Sequence, residues 1–343
     1  MFTKKNILKI KLIVAFFLGV LFSSCDSVIY DDLSECPMGV YVSFYTLTPV
    51  GDTLTVFPQN NINQELNLMV FDSQGKLVHI IKQQFPLAAN QKVFVPIEKA
   101  GEYSFVAWSG TPGSFSLTNA SLGSSKDAIL AKLTRDANDN ITADSPAHIF
   151  EGSFRTHEPE FGGKYINSPN YGHNTVVFHD PAEYGSQFRE ILIGMKEITQ
   201  QLTLTLKGAS RLLTDVTDLK VSVIAKNGDY LLNGGIAPNG QVINYSGLIR
   251  VEGDDLKIDF LKLGKLFYGQ DIKLRITFTQ KNGVTFEREY SLIELIMLDP
   301  KYKNETFDFS KHFFLELSFT YYLSAEGEVM NWTAVSRDVV LKN

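Results

Sequence analysis

Two cysteines, Cys25 and Cys36, carry the most distinctive chemistry of this chain. They lie eleven positions apart in LFSSCDSVIYDDLSECP, and no other cysteine occurs among the 343 residues. A pair at this spacing could close a small disulfide loop, as is common in small exported domains. The residues before Cys25 indicate whether Cys25 can form a disulfide with Cys36.

The segment before Cys25 has the layout of an export signal. MFTKKNILKIK is cationic, and the next eleven residues, Leu12 to Phe22, are apolar. A bilayer-spanning helix needs about 20 apolar residues, so residues 1–24 are predicted to be a signal peptide rather than a membrane anchor. Ser23-Ser24-Cys25 resembles, in a relaxed form, the lipobox of bacterial lipoproteins.

The lipobox resemblance implies cleavage after Ser24 and acylation of Cys25. Several acyl chains give a durable anchor, because each buried CH₂ contributes about 0.8 kcal/mol. Cys36 then has no intramolecular partner, and we expect it to be a small buried residue at the start of the first strand. Residues 25–37 are predicted to form a lipidated, acidic tether. The alternatives are secretion with a free or disulfide-bonded Cys25, and a disulfide between Cys36 and another chain.

Other residues with catalytic or metal-binding chemistry are few. His173, His179 and Asp180 are the densest group of potential metal ligands, but six residues of strand would hold the histidines about 20 Å apart. Ser73 and Lys76 satisfy the S-x-x-K pattern, yet they lie in a predicted hairpin turn. No nucleophile elbow, P-loop, dinucleotide fingerprint or HExxH motif occurs in the sequence. The sequence therefore predicts no enzyme activity, no metal and no cofactor.

The charge balance argues against a further class of protein. Residues 1–24 contain four lysines and no acid, so the rest of the chain carries 28 basic and 38 acidic residues, a net charge of −10. Such a chain has no general attraction for nucleic acid. Hydrophobic residues make up 44% and charged residues 20%, as in a globular protein, and 12% aromatic residues favour β-structure.

Period-two alternation indicates the elements that position these residues. Apolar and polar residues alternate in VYVSFYTL, ELNLMVFD, DIKLRITFTQ and HFFLELSFTYYL. One apolar face per strand is typical of antiparallel sheets packed on one another. Glycine-containing turns at 72–75, 227–228 and 282–283 predict hairpins. Residues 124–133 and 292–297 are predicted to be short helices in an otherwise all-β fold built of sandwiches.

A weak internal repeat predicts two domains. VYVSFYT followed by LNLMVFDSQGKLV has the same order of elements as ITQQLTLTLKG followed by LKVSVIAKNGDYLL. The stretch between them, residues 157–185, is rich in Gly, Pro, Asn and Tyr. We therefore predict an N-terminal β-sandwich domain at 38–187 and a C-terminal β-sandwich domain at 188–343.

Several phrases of the sequence, taken in order, resemble one family. The lipobox cysteine is followed by IYDDLSECPMGVYVSFY, LNLMVFDSQGKLV and AGEYSFVAWSG, and the C-terminus carries EVMNWTAV. This series is similar to the anchor subunits of the fimbriae of Bacteroidales, a branch of the fimbrillin superfamily. The resemblance implies two transthyretin-like β-sandwich domains in tandem, a lipid anchor in the outer membrane at the cell surface, and a structural role at the base of a fimbria, or pilus.

The resemblance also implies how the subunits join. In related stalk pilins an arginine-specific protease removes the lipid and the first strand, which opens a groove for a neighbour's C-terminal strand. No arginine lies between Cys25 and Arg135. This supports an anchor that keeps its tether, with chance as the alternative because arginine is rare in the chain. An anchor that keeps its first strand has no open groove, so we expect it to donate a strand to a stalk subunit.

The candidate donor strand is the C-terminal segment EVMNWTAVSRDVVL, residues 328–341. Its predicted inserting residues are Val329, Trp332, Ala334, Val335, Val339 and Leu341. The alternative is that this segment completes the sheet of its own domain. The predicted partners are fimbrial stalk subunits (fimbrillins) and the outer membrane, the latter through the acyl chains on Cys25.

The sequence leaves a second function open, that of a surface glycan-binding lipoprotein. Such a protein would also be lipid-anchored and built of β-sandwiches. Trp108 or Trp332 would then stack on a sugar ring, whereas burial near a strand end is the commoner role of such a residue. An exposed aromatic platform flanked by polar groups would favour glycan binding, and burial of both tryptophans would weaken it.

Overall fold

A computed structural model of the chain describes residues 33–46, 55–57, 63–85, 92–142, 146–154, 174–210, 212–302, 312–323 and 329–336. Strands dominate these ranges, so the predicted all-β fold class is confirmed. The α-helices found there are short: α1 (Pro181–Tyr184), α2 (Leu212–Asp215) and α3 (Leu292–Met297). Within the same ranges, none of the helices has the length and apolar character needed to cross a membrane.

The largest sheet is built from the first part of the chain. Its nine strands are β1 (Met38–Thr46), β2 (Thr55–Val56), β3 (Gln64–Phe71), β4 (Leu77–Phe85), β5 (Val93–Ile97), β6 (Gly101–Gly110), β10 (Ile149–Ser153), β11 (Val176–Phe178) and β12 (Gln187–Glu197). They are ordered β2-β1-β12-β10-β6-β3-β4, with β5 paired to β1 and β11 paired to β6. The strand β1 that follows the tether therefore lies inside this sheet.

Three further sheets contain the remaining strands. These strands are β7 (Phe115–Thr118), β8 (Leu130–Leu133), β9 (Asn140–Thr142), β13 (Thr199–Lys207), β14 (Val216–Ala225), β15 (Asp229–Leu231), β16 (Ile243–Ser246), β17 (Leu248–Glu252), β18 (Asp255–Gly264), β19 (Lys273–Gln280), β20 (Thr285–Ser291), β21 (His312–Leu323) and β22 (Val329–Ser336). Two sheets have five strands, in the orders β17-β18-β13-β21-β22 and β20-β19-β14-β16-β9, and the third has the order β15-β8-β7. The C-terminal strand β22 thus ends one of the five-stranded sheets.

Most neighbouring strands are antiparallel, as the sequence predicts, but three pairs are parallel. β1 runs parallel to β12, β13 runs parallel to β21, and β9 runs parallel to β16. The alternation of apolar residues reports which face of a strand is buried and carries no information on strand direction. Pattern alone therefore could not identify these three pairs.

Sheet membership changes between β12 and β13, at Ile198. The predicted boundary near residue 187 lies at the start of β12, which pairs with β1 in the nine-stranded sheet. Strands on opposite sides of that boundary also pair with each other, β8 with β15 and β9 with β16. The division into two tandem domains stays a prediction.

The predicted alternation places one face of each strand in a core. The apolar residues of two predicted strands are buried, namely Ile272, Leu274, Ile276, Phe278, Phe313, Leu315 and Leu317. A first core cluster contains Val40 and Val42 of β1 together with other side chains of the nine-stranded sheet. A second, larger cluster extends from Phe71 and Trp108 to the strands of the second half of the chain. This second core connects the sheets.

Trp108 is a central residue of that connection. Its side chain is fully buried, and its Nε1 donates a hydrogen bond of 3.1 Å to the carbonyl oxygen of Leu232. An ion pair crosses between the halves as well, because Arg135 Nη1 lies 2.9 Å from Asp229 Oδ1. Removal of one partner from a buried pair of this kind is costly, since the other charge remains buried.

Two of the three predicted hairpin turns are confirmed. β3 and β4 pair around residues 72–75, where Asp72 Oδ1 accepts hydrogen bonds from the backbone nitrogens of Gln74 and Lys76. β19 and β20 pair around Gly283, whose φ of +86° suits a residue without Cβ.

The hairpin predicted at Asn227-Gly228 is wrong. β14 pairs with β16 and β19, whereas β15, after the turn, pairs with β8. Asn227 is buried, and its Nδ2 donates to the carbonyl oxygen of Gly264 at 2.9 Å. The dipeptide redirects the chain from one sheet into another instead of reversing it within a sheet.

The predicted helix at residues 292–297 is confirmed as α3, but the helix predicted at 124–133 is wrong. A single 3-10 turn forms at Lys126–Ala128, and Leu130–Leu133 is the strand β8. β8 pairs on one side with β7 and on the other with β15. Pairing with two neighbours outweighs the weak helical preference of so short a segment.

Candidate functional site

The tether enters the fold through a 3-10 turn, Leu33–Glu35, that directly precedes β1. The backbone nitrogen of Cys36 donates a hydrogen bond of 3.0 Å to the Leu33 carbonyl oxygen. Cys36 is 4% exposed and its thiol is free, so its predicted role as a small buried residue before the first strand is confirmed. The predicted lipidation site Cys25, and most of the tether, lie outside the described residues.

Strand β1 is held on both of its edges. Over its whole length, Met38–Thr46, it pairs with Gln187–Met195 of β12. On the opposite edge, Met38–Val42 pairs with β5 and the last two residues pair with β2. Val40 and Val42 point into the core and are fully buried. The first strand thus supplies both main-chain hydrogen bonds and core side chains to the nine-stranded sheet.

Strand β22, the C-terminal candidate, is held on one edge among the described residues. It pairs antiparallel with β21, from Val329 opposite Leu323 to Ser336 opposite Leu317. The predicted inserting residues within it are Val329, Trp332, Ala334 and Val335, whereas Val339 and Leu341 lie outside the described residues. In a single chain the segment thus completes its own sheet, which is the pairing of the stated alternative. Donation to another subunit stays a prediction.

The strand that β22 pairs with carries a polar network at its start. His312 Nε2 lies 2.9 Å from Thr203 Oγ1, and Thr203 donates its single hydroxyl hydrogen to Asp259 Oδ1 at 2.8 Å. Asp259 also forms an ion pair with Arg250. Burial lowers the pKa of the His312 imidazole, and the Asp259 carboxylate opposes part of this change.

This Asp, Thr and His group resembles the composition of a catalytic triad but has the wrong direction of hydrogen bonding. Because the Thr203 hydroxyl gives its hydrogen to the Asp259 carboxylate, His312 Nε2–H must donate to Thr203. A nucleophile needs the imidazole as acceptor of the hydroxyl hydrogen. The group therefore stabilises three adjacent strands, and no spacing in the sequence indicated it, since its members come from β13, β18 and β21.

The chemical candidates from the sequence have structural roles where the structure describes them. Ser73 and Lys76 belong to the turn between β3 and β4. Asp180 caps α1 by accepting a hydrogen bond from the Ala182 backbone nitrogen, and His179 stacks on Tyr184 at a centroid distance of 4.7 Å. His173 lies outside the described residues. Among those described, no three His, Cys, Asp or Glu residues form a group that could hold a metal ion.

The glycan-binding alternative requires Trp108 or Trp332 to stack on a sugar, whereas burial is the commoner role of such residues. Trp108 is fully buried and its ring contacts Phe115 and Tyr230, so it has no face available for stacking. The backbone of Trp332 lies in β22, and its side chain is outside the described part of the chain. Burial of Trp108 removes one of the two candidate platforms, and the role of Trp332 stays a prediction.

An exposed aromatic cluster that the sequence did not indicate lies on the outer face of the nine-stranded sheet. Tyr41 of β1, Phe94 of β5 and Phe188 of β12 are 37%, 42% and 46% exposed. The ring centroids of Tyr41 lie 5.0 Å from Phe94 and 6.2 Å from Phe188. Strand pairing brings them together, because Tyr41 is opposite Phe94 and Gly39 is opposite Phe188.

Comparisons with known proteins identify relatives of the whole fold. Residues 33–338 match the family model of fimbrillin-A associated anchor proteins Mfa1 and Mfa2. The minor fimbrium anchoring subunit Mfa2 of Porphyromonas gingivalis is 24% identical over 276 residues, which cover 80% of this chain and 76% of that protein.

Solved structures show the shared fold. The fimbrial anchor protein Mfa2 from Porphyromonas gingivalis has a TM-score of 0.64 at 19% identity, over 88% of this chain and 98% of that one. A protein from Bacteroides ovatus proposed to be an adhesin has a TM-score of 0.55 at 15% identity, over 91% and 96% of the two chains. A protein from Bacteroides thetaiotaomicron proposed to bind polysaccharide has a TM-score of 0.53 at 17% identity, over 88% and 96%.

The anchor-subunit resemblance predicted from the sequence is thereby confirmed. The matched region begins at the turn that precedes β1 and ends just after β22, so it includes both strands described above. This chain belongs to the family of fimbrillin-A associated anchor proteins Mfa1 and Mfa2.

Proposed function

We propose that this chain is a structural, non-enzymatic lipoprotein of the outer membrane that anchors a fimbria at the cell surface. The observation that carries the proposal is the contrast between its terminal strands, within a family of fimbrial anchor proteins. β1 is paired on both edges, whereas β22 ends its sheet. An anchor needs one end fixed to the membrane and another end able to engage the stalk.

The membrane end is assigned to Cys25, acylated after removal of residues 1–24. Seven residues separate Cys25 from Leu33, the first described residue, and three of these seven are aspartates. Acyl chains on Cys25 hold the protein in the membrane, since several chains together bind durably where one does not. The buried Cys36 thiol leaves Cys25 without a disulfide partner in its own chain.

Retention of the tether is supported by the distribution of arginine. An arginine-specific protease, of the kind that the family resemblance implies for stalk subunits, meets no arginine after Cys25 before Arg135. The Arg135 side chain is only 13% exposed and contacts the carboxylates of Asp139 and Asp229. Cleavage at Arg135 would require local unfolding, which supports retention of the lipid and β1.

The stalk end is assigned to β22 and the residues after it. Strand addition gives affinity through main-chain hydrogen bonds and specificity through alternate side chains that enter pockets of the partner. An edge strand can leave its sheet at the loss of only one ladder of hydrogen bonds, whereas β1 would lose two. The partner class is a fimbrial stalk subunit whose groove lacks a strand.

The test is a pull-down of the tagged full-length protein from outer membranes of fimbriated cells. Co-purification of stalk subunits supports the anchor role, and their absence contradicts it. A variant that lacks residues 335–343 then tests the assigned end of the chain. Loss of the stalk subunits with both halves still folded supports strand donation, whereas global unfolding rules it out in favour of a strand that only completes its own sheet.

A matched control uses the opposite edge of the same sheet. Val251→Pro changes an exposed residue of β17, which ends the five-stranded sheet on the side away from β22. Proline at this position removes one backbone N–H from the opposite edge strand. This variant should retain the stalk subunits, and their loss would show that any weakened edge of this sheet abolishes the interaction.

A further inference from the structure

The aromatic cluster of Tyr41, Phe94 and Phe188 is the largest group of exposed rings in contact among the described residues. The opposite face of the same strands is core, because Val40 and Val42 are fully buried. A Cβ at Gly39 would come within 2.4 Å of Phe94 Cε2. The absence of a side chain at Gly39 thus allows the Phe94 ring to lie against the backbone of β1.

The cluster lies at the end of the sheet where the tether enters. β1 and β12 are parallel and both begin at this end, with Met38 opposite Gln187. The turn that contains Leu33 and the helix α1 lie against each other just before these strands. Leu33 and Tyr184 of α1 are 39% and 60% exposed, so this end presents further apolar side chains.

The length of the tether limits how far this end can lie from the membrane. The eight Cα-to-Cα steps from Cys25 to Leu33 span at most about 27 Å when the chain is fully extended. The far end of the same face of β1 is covered, since Tyr45 is 2% exposed whereas Tyr41 is 37% exposed. Exposure of aromatic rings on β1 is therefore confined to the part closest to the tether.

The chemistry of the cluster suits a lipid surface better than a sugar. Neighbouring rings are tilted by 39° to 46°, so they do not form one flat platform for a sugar ring. The nearby charges of Lys92 and Glu190 neutralise each other at 2.7 Å. Sugar sites need polar groups that converge on the ligand, whereas amphipathic aromatic rings are typical of the bilayer interface.

We infer that Tyr41, Phe94 and Phe188 rest in the headgroup region of the membrane that holds the acyl chains. The contact fixes the orientation of the anchor on the membrane. This inference rests on the proposed acylation of Cys25, because without the acyl chains nothing holds the cluster near a bilayer.

The test places a reporter in the cluster of the acylated full-length protein. Tyr41→Trp is reconstituted into phosphatidylcholine vesicles with brominated acyl chains, which quench a tryptophan that lies close to them. Tyr268→Trp is the matched control, because Tyr268 is 72% exposed in the turn between β18 and β19. Wild-type emission, from Trp108 and Trp332, is subtracted from both. Phe188→Trp is a second reporter in case Tyr41→Trp disturbs the strand.

In the brominated vesicles we expect quenching of the added emission for Tyr41→Trp and Phe188→Trp, and a blue shift of the emission that remains. Tyr268→Trp should show neither change. Flotation of the protein with the vesicles but unchanged emission at both cluster positions would overturn the inference and leave the acyl anchor standing. Emission that changes with purified surface polysaccharide and not with brominated lipid would also overturn it, in favour of a glycan site. Failure to float would instead contradict the acyl anchor, and the inference with it.

Discussion

The first and last strands of this fold differ in how they are held. β1 pairs with β12 on one edge and with β5 and β2 on the other, and seven of its nine residues are buried. β22 pairs with β21 alone among the described residues. Removal of β1 would therefore open the core of the nine-stranded sheet, whereas displacement of β22 would shorten a sheet by one edge strand. The N-terminal strand is therefore held by two ladders of hydrogen bonds and the C-terminal strand by one among the described residues.

The largest expected effect comes from a charge in the core beneath β1. Val42→Asp places a carboxylate at a fully buried position, and we expect the free energy of unfolding to fall by about 5 kcal/mol, because no cation lies in the described part of that core cluster. Tyr41→Asp, on the exposed face of the same strand, should cost about 1 kcal/mol or less. Urea denaturation measures both values. Similar values for the two variants would show that β1 is not an interior strand.

A second effect tests whether the two terminal strands belong to one cooperative unit. Trp108 joins the sheets through its buried ring and its hydrogen bond to Leu232. Trp108→Ala should lower the free energy of unfolding by about 4 kcal/mol, and Trp108→Phe, which keeps most of the volume, by about 2 kcal/mol. Circular dichroism in urea should show one shifted transition. Two separate transitions for wild-type protein would indicate that the halves are stable independently.

Native-state hydrogen exchange compares the two strands directly. Amides of β1 should exchange only through global unfolding, because both edges of the strand are paired. Amides of β22 that bond to β21 should exchange by local opening, at least about tenfold faster, which corresponds to about 1.4 kcal/mol. Mass spectrometry of peptic fragments resolves the two segments. Equal protection of β22 and β1 would contradict the exchangeable character of the C-terminal strand.

The smallest expected effect concerns pH and the strand that holds β22. Burial lowers the pKa of His312 below its value of about 6.5 in the unfolded chain. As the pH falls through 6.5, His312 binds a proton in the unfolded chain before it does so in the folded chain. The stability that neutral His312 contributes above pH 6.5 is therefore lost as the pH falls towards the lower folded pKa. His312→Gln should reduce the decrease in Tm between pH 7.5 and pH 5.5. An unchanged decrease would show that His312 does not contribute to it.

Local patterns predicted the parts of the fold that local interactions determine. The alternation in DIKLRITFTQ identified the buried face of β19, and Asn282-Gly283 identified its hairpin with β20. Asn227-Gly228 has the same form but turns the chain into a different sheet, since its asparagine bonds to Gly264 in the core. Turn residues predict a change of chain direction, but they do not show that the strands before and after the turn pair with each other.

The features of the candidate site depend on residues far apart in the sequence. Tyr41, Phe94 and Phe188 meet only because β1 lies between β5 and the parallel strand β12. One of the two paired edges of β1 likewise follows from pairing across more than 140 residues. Alternation marks one face of each strand as polar or exposed, but a single sequence gives no register between strands. The sequence therefore predicts individual strands but not the surface that forms where strands pair.

The proposed anchor function requires a mature protein that keeps its first strand and is held by acyl chains on Cys25. Intact-mass and peptide mass spectrometry of the protein from outer membranes of fimbriated cells tests both parts at once. The predicted result is an N-terminus at Cys25 that carries acyl chains and continues through residues 26–46. An unacylated Cys25, a disulfide between Cys25 and Cys36, or a chain that begins after β1 would contradict the proposed anchor function.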